Sequence, residues 1–165
     1  MRSRLAIANS RTARVSSAAA AAFLALLSAA AVWLVHARGW TLYYGDAEAH
    51  LMCSRRLVDS QTASYDQLGV SWLPMLHVMI LPFVRIGDWW QTGLAGAIPP
   101  AVCFVVAGCF LFAATRRIFD SNAAAFVAMA VFALNPHILY LQAIPMTEAV
   151  FFAALTALLY FCVRF

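Results

Sequence analysis

"GLAGAIPPAVCFVVAGCFLFAATRR", residues 93–117, runs from Gly93 to Thr115 without a charge and then meets two arginines. Crossing a bilayer takes about 20 mostly apolar residues. The run reads as a transmembrane helix, and Arg116 and Arg117 as its water-facing end.

Three further runs have the same character. Residues 18–37 form the first, preceded by Arg2, Arg4, Arg11 and Arg14; residues 122–141 and 146–163 form the others, the last closed by Arg164. The expected fold is all-α integral membrane with about four transmembrane helices. Its parts are a cytoplasmic basic tail (1–17), the first span (18–37), an outer loop (38–92) and spans at 93–115, 122–141 and 146–163. Val35-His36-Ala37 also loosely resembles a signal cleavage site, but the run before it is too long for a usual signal core.

Composition agrees. Of the 165 residues, 64% are hydrophobic and 11% are charged, where soluble domains are about 45–50% apolar. Mean hydropathy is +0.81. The net charge of +4 comes from arginines at the ends of apolar runs. No basic-aromatic stripe, phosphate loop or zinc spacing occurs, so nucleic acid is not an expected partner. Cys53, Cys103, Cys109 and Cys162 form no C-x-x-C pair and read as small buried hydrophobes.

Positive charge marks the cytoplasmic side. With four spans, the arginines of the N-terminus, of "RRIFDSN" and of the last residues all fall inside. Residues 38–92 and 136–148 then face outside. Within the outer loop, residues 46–59 read as one membrane-hugging amphipathic helix. Residues 70–90 read as a second, because Val70 to Val84 is apolar but short and holds Pro74, His77 and Pro82. Trp72, Trp89 and Trp90 flank it, as aromatics do at headgroup level.

The chemistry concentrates in "GDAEAHLMCSRRLVDS", residues 45–60. On a helix, Asp46, His50, Cys53 and Leu57 share one side, and Ala47, Leu51, Ser54 and Val58 share another. Glu48, Met52, Arg55 and Asp59 form a third row, with Arg55 spaced to pair with Asp59. Asp46 is either a first-turn acid that stabilises the helix or a general base at the membrane surface. Three readings stay open for His50: it orients Asp46, shares a divalent metal ion with it, or is an interfacial polar residue. Arg55 and Arg56 either meet a phosphate with their planar donors or pair on the surface. Thr147 reads as a helix N-cap with Glu148 in the first turn, on the same side of the membrane as Asp46. His77, midway along the apolar loop helix, is either locally hydrogen-bonded or a site candidate near membrane depth, and His137, near the outer end of the third span, is either a pocket residue or an interfacial one.

The order of these features resembles the C-type membrane glycosyltransferases, close to the protein O-mannosyltransferase and aminoarabinose transferase group. The family's Asp-Glu-x-x-Tyr followed by Ala-Arg looks like Asp46-Ala47-Glu48-Ala49-His50 followed by Ser54-Arg55. Its Pro-Pro-Leu-x-Tyr-Trp helix looks like Leu73-Pro74-Met75-Leu76-His77, and its Thr-Asp looks like Thr147-Glu148. Ala47 replaces the second acid, which leaves Glu48 to substitute, and Trp72 stands where a lysine is common. The resemblance covers about residues 20–163, the first third of a usual member.

It implies inverting transfer of a sugar from a polyprenyl-phosphate carrier to a lipid, glycan or protein hydroxyl, on the outer face of a bacterial inner (plasma) membrane. Asp46, Glu48 and Glu148 would be the catalytic acids, with Arg55, His50, His77 and His137 on the substrate or its phosphate. No cofactor is required by this reading beyond the divalent metal left open above. By that resemblance the chain is expected to be an N-terminal portion, not active alone. The alternatives are a small non-catalytic multi-span partner, a decayed transferase copy, or a transporter fragment. Spans nearly free of mid-helix charge count against the last.

Overall fold

The computed structural model describes residues 2–62, 64–68 and 72–165, with side chains from Ser17 onward apart from Tyr65 and Leu68. Every regular element among the described residues is helical. In chain order these are α1 (Arg2–Ala37), α2 (Gly45–Asp59), a 3-10 turn (Tyr65–Leu68), α3 (Met75–Ile80), α4 (Gly87–Thr92), α5 (Leu94–Phe119), α6 (Asn122–Ala133), α7 (Pro136–Leu141) and α8 (Glu148–Arg164).

Two helical stretches are long and apolar enough to cross a membrane, Ser17–Ala37 and Leu94–Phe119. They qualify by length and composition; the first lies near the N-terminus, and the second is half buried within the bundle. α5 is the central post, with α1, α6 and α8 packed against it. Leu24, Phe104, Phe112, Met129 and Ala149 are buried together between these helices. Phe132 bridges two of them, stacked on Phe104 at 5.4 Å and edge-on to Phe152 at 5.8 Å. Gly108 lets α1 close in, because a Cβ there would lie 2.6 Å from Leu24 Cδ1.

The turns have local causes. α5 ends at Asp120, whose φ of 47° breaks the helix, and the Ser121 side chain then caps α6 by accepting from the Ala124 N–H at 3.2 Å. The arginine end is tied together here. Arg116 donates to Ser17 Oγ on α1, and Arg117 donates to the carbonyls of Val163 and Arg164 on α8.

Two expectations are revised, and one boundary is refined. The stretch 122–141 is not one helix: α6 stops at Ala133, and Asn135 begins α7 by accepting from the N–H groups of His137 and Ile138. Pro136 at the first helical position fixes that start. The tail and first span are one continuous helix from Arg2, with no break at residues 17 and 18. Cys162 is exposed on α8, whereas Cys53 and Cys103 are buried.

Candidate functional site

α2 forms where the acids and arginines predict it. Asp46 and Glu48 stand in its first turn and Arg56 in its last, each sign suited to the helix dipole. Its buried face is Ala47, His50, Leu51, Cys53 and Ser54. Asp46 remains exposed. Leu51 packs with Leu76, Ile80, Val84 and Ala95, which joins α2 to α3 and to the start of α5.

The sharpest feature is a pair of buried histidines. His50 Nδ1 and His77 Nε2 are 2.8 Å apart, a hydrogen bond between α2 and α3. Both side chains are buried. Trp72 covers His50, with ring centroids 4.6 Å apart. Ser54 Oγ lies 3.2 Å from the His50 carbonyl and 3.1 Å from that of His77, so its hydroxyl ties the two helices by their backbones. Burial, aided by His77, pushes His50 down to about 4, and the Asp46 charge opposes this. At neutral pH His50 therefore carries no charge.

Arg55 is held in place. It pairs with Asp59 at 2.5 Å, donates to the Val84 carbonyl, and its guanidinium lies 5.2 Å from the Trp90 ring centre. The guanidinium expected on a phosphate thus links α2 to the α3–α4 segment.

Glu148 opens α8. Thr147 stands at the cap position, but its side chain makes no capping bond. Glu148 Oε2 is buried and has no hydrogen-bond partner among the described residues. Packing brings this turn to the start of α2. Ala47, the neighbour of Asp46, is buried with Ala143, Ile144 and Met146. Gly96 on α5 leaves the space in which Pro145 sits, beside Leu51 of α2. Roughly 30 Å of α5 separates Gly96 from Arg116, so this junction and the arginine end lie at opposite ends of the bundle.

The other candidates are placed differently. Glu48 follows Asp46 by two residues, about 200° round the helix, and lines a cleft with Trp90 and Gln91. His137 is exposed in the first turn of α7, which packs on α1, α6 and α8. Among the described residues no three of His, Cys, Asp and Glu gather as a metal-binding set.

Sequence reasoning missed Gly96, Trp72 as the lid on His50, and the Val84 carbonyl. Trp72 was visible only as a flanking aromatic. A glycine's contact partner and a carbonyl's direction leave no mark in a sequence. Comparison with family models, curated proteins and solved structures finds no match for this chain.

Proposed function

We propose that this chain forms the acid-bearing part of a membrane glycosyltransferase that takes a sugar from a polyprenyl-phosphate carrier. The observation that carries the reading is the junction of α2 and α8. Ala47 against Met146, and Pro145 seated on Gly96 beside Leu51, bring the turns bearing Asp46 and Glu148 to one end of the bundle, away from Arg116 and Arg117. With this end outside, seven of the eleven arginines fall inside and four (Arg38, Arg55, Arg56 and Arg85) outside, an excess in the sense of the positive-inside rule. Tyr43, Leu73, Met75 and Val78, all exposed, would rest at the outer headgroup level.

In the reaction the acceptor hydroxyl passes its proton to the Asp46 carboxylate. Its oxygen bonds to the anomeric carbon from the face opposite the carrier. The bond from that carbon to the phosphate oxygen breaks, and the electron pair leaves on the lipid phosphate. The sugar is inverted. Glu148, with a buried oxygen open to a new partner, would accept from a hydroxyl of the sugar or acceptor.

The test supplies membranes of the cells that make the protein, where any partner is also present, with a labelled polyprenyl-phosphate sugar. Carrier-dependent transfer should occur and should fall by about 100-fold or more in Asp46→Asn, the usual scale for a lost general base. Full transfer by that variant would remove Asp46 from the mechanism. A second reading, a non-catalytic membrane partner, is favoured by Arg55. That guanidinium is already engaged by Asp59, Val84 and Trp90. Co-purification with another membrane protein and no transfer would support this reading.

A further inference from the structure

The cleft between α2 and α4 has a different chemistry from the Asp46 end. It encloses about 270 Å³ and is lined by Leu42, Glu48, Leu51, Met52, Trp90 and Gln91. Leu51 is its buried floor, while Glu48 and Gln91 stand exposed at its rim. We infer that this cleft is a saccharide subsite for a single pyranose ring, with Trp90 as the apolar platform and Glu48 and Gln91 receiving hydroxyls.

The lining matches a ring that is apolar on its C–H face and polar round its edge. Leu42, Leu51, Met52 and the indole supply the apolar wall. A carboxylate accepts from two hydroxyls, and a carboxamide both donates and accepts. The volume lies just under the roughly 300–1,000 Å³ typical of drug-sized pockets, which suits one ring. Trp90 is held before any ligand arrives. Arg55 lies over its ring and is itself anchored to Asp59 and the Val84 carbonyl. A fixed platform lowers the ordering cost of binding. A cation would suit the same carboxylate and indole, so it is the ligand class to set against the sugar.

This inference deepens the transferase reading and rests on it for the class of ligand, while the cleft itself lies about 200° round α2 from Asp46. The test is saturation-transfer NMR on the full chain in deuterated detergent. The probes are methyl α-D-mannopyranoside and methyl β-D-glucopyranoside, with choline chloride as the cationic comparison. At least one glycoside should take up saturation, strongest on its C–H face. The signal should fall about fivefold in Glu48→Gln and in Gln91→Ala, the order expected for one lost hydrogen bond. It should be lost in Trp90→Ala. The first two substitutions are at exposed positions and spare the fold, so they decide the matter if Trp90→Ala misfolds. No transfer to either glycoside, equal transfer to the wild type and both rim variants, or a stronger Glu48-dependent signal from choline would each overturn the inference. The labelled-carrier assay at Asp46 is a separate readout, so either idea can fail alone.

Discussion

Pro145 lies so close to Gly96 that a Cβ on residue 96 would stand 2.4 Å from the proline's Cγ and 2.7 Å from its Cβ. A pyrrolidine ring cannot swing aside as a flexible side chain does, so α5 and the α7–α8 turn must part. Gly96→Ala should cost roughly 1–3 kcal/mol, the usual cost of overpacking. The measurement is unfolding in detergent. Gly45→Ala is the matched control, since nothing lies within 4 Å of a Cβ there. It should be neutral, or stabilising by about 0.4–1 kcal/mol. Equal melting of the two variants would mean that α5 and the α7–α8 turn are not in close contact.

Ser28 and Gln142 form a buried polar link inside an apolar bundle. Ser28 Oγ lies 2.8 Å from Gln142 Oε1, and Gln142 Nε2 donates to the Leu139 carbonyl. Ser28→Ala leaves Gln142 Oε1 without that donor, at about 1–3 kcal/mol. Combining it with Gln142→Leu removes the stranded group. The double variant should therefore be more stable than the sum of the single effects. Simple additivity in a thermal-melt cycle would show that the pair is not coupled.

Arg55 has two kinds of partner, and they should weigh differently. Its ion pair with exposed Asp59 is worth about 0–1 kcal/mol, so Asp59→Asn should change little. Arg55→Ala also loses the bond to the Val84 carbonyl and the contact with Trp90, and should cost about 2 kcal/mol. Arg55→Lys should not restore it, because an ammonium cannot reproduce the planar fork. A denaturant series on the three variants reads this order directly.

The histidine pair sets a pH dependence. In the unfolded chain His50 takes a proton near 6.5, and in the fold only near 4. Between these values the unfolded state binds more protons, so stability falls as pH drops. It should be complete above about 6.5, decline towards about 4 and level off below that. At about 1.4 kcal/mol for each pH step, the loss is on the order of 3 kcal/mol. Unfolding free energies at pH 7.5, 5.5 and 4.5 should follow this curve, and His50→Gln should flatten it.

The limits of α2 were legible because acids and arginines mark helix ends by their fit to the dipole. Its buried side was only half legible. Spacing grouped Asp46 with His50, Cys53 and Leu57, yet the fold buries His50 and Cys53 and leaves Asp46 outside. The deciding contact is α3, nearly thirty residues further on (|i−j| of 27 for His50 and His77). A spacing rule describes one helix and says nothing about which neighbour arrives. The opening of α8 was legible from Thr147-Glu148, although the threonine does not cap. The nearness of that turn to Asp46 was inferred from topology alone, and its physical basis, a glycine facing a proline, was not readable. The break at Asn135 was written in Asn-Pro, a capping residue followed by a helix starter. The apolar residues on either side outweighed it.

That break has a further consequence. α6 exposes Val127 and Val131, and Leu134 at its corner is exposed too. A helix of its 12 residues rises only about 18 Å, against a hydrocarbon layer of about 30 Å. Were α6 to lie across a bilayer, its corner at Leu134–Asn135 would fall within the hydrocarbon layer, where a backbone group without a partner is costly. The chain meets much of that demand itself: the Leu134 N–H keeps the Ala130 carbonyl, Asn135 accepts from the N–H groups of His137 and Ile138, and Pro136 has no N–H to satisfy. The bend thus carries its own substitute for solvent.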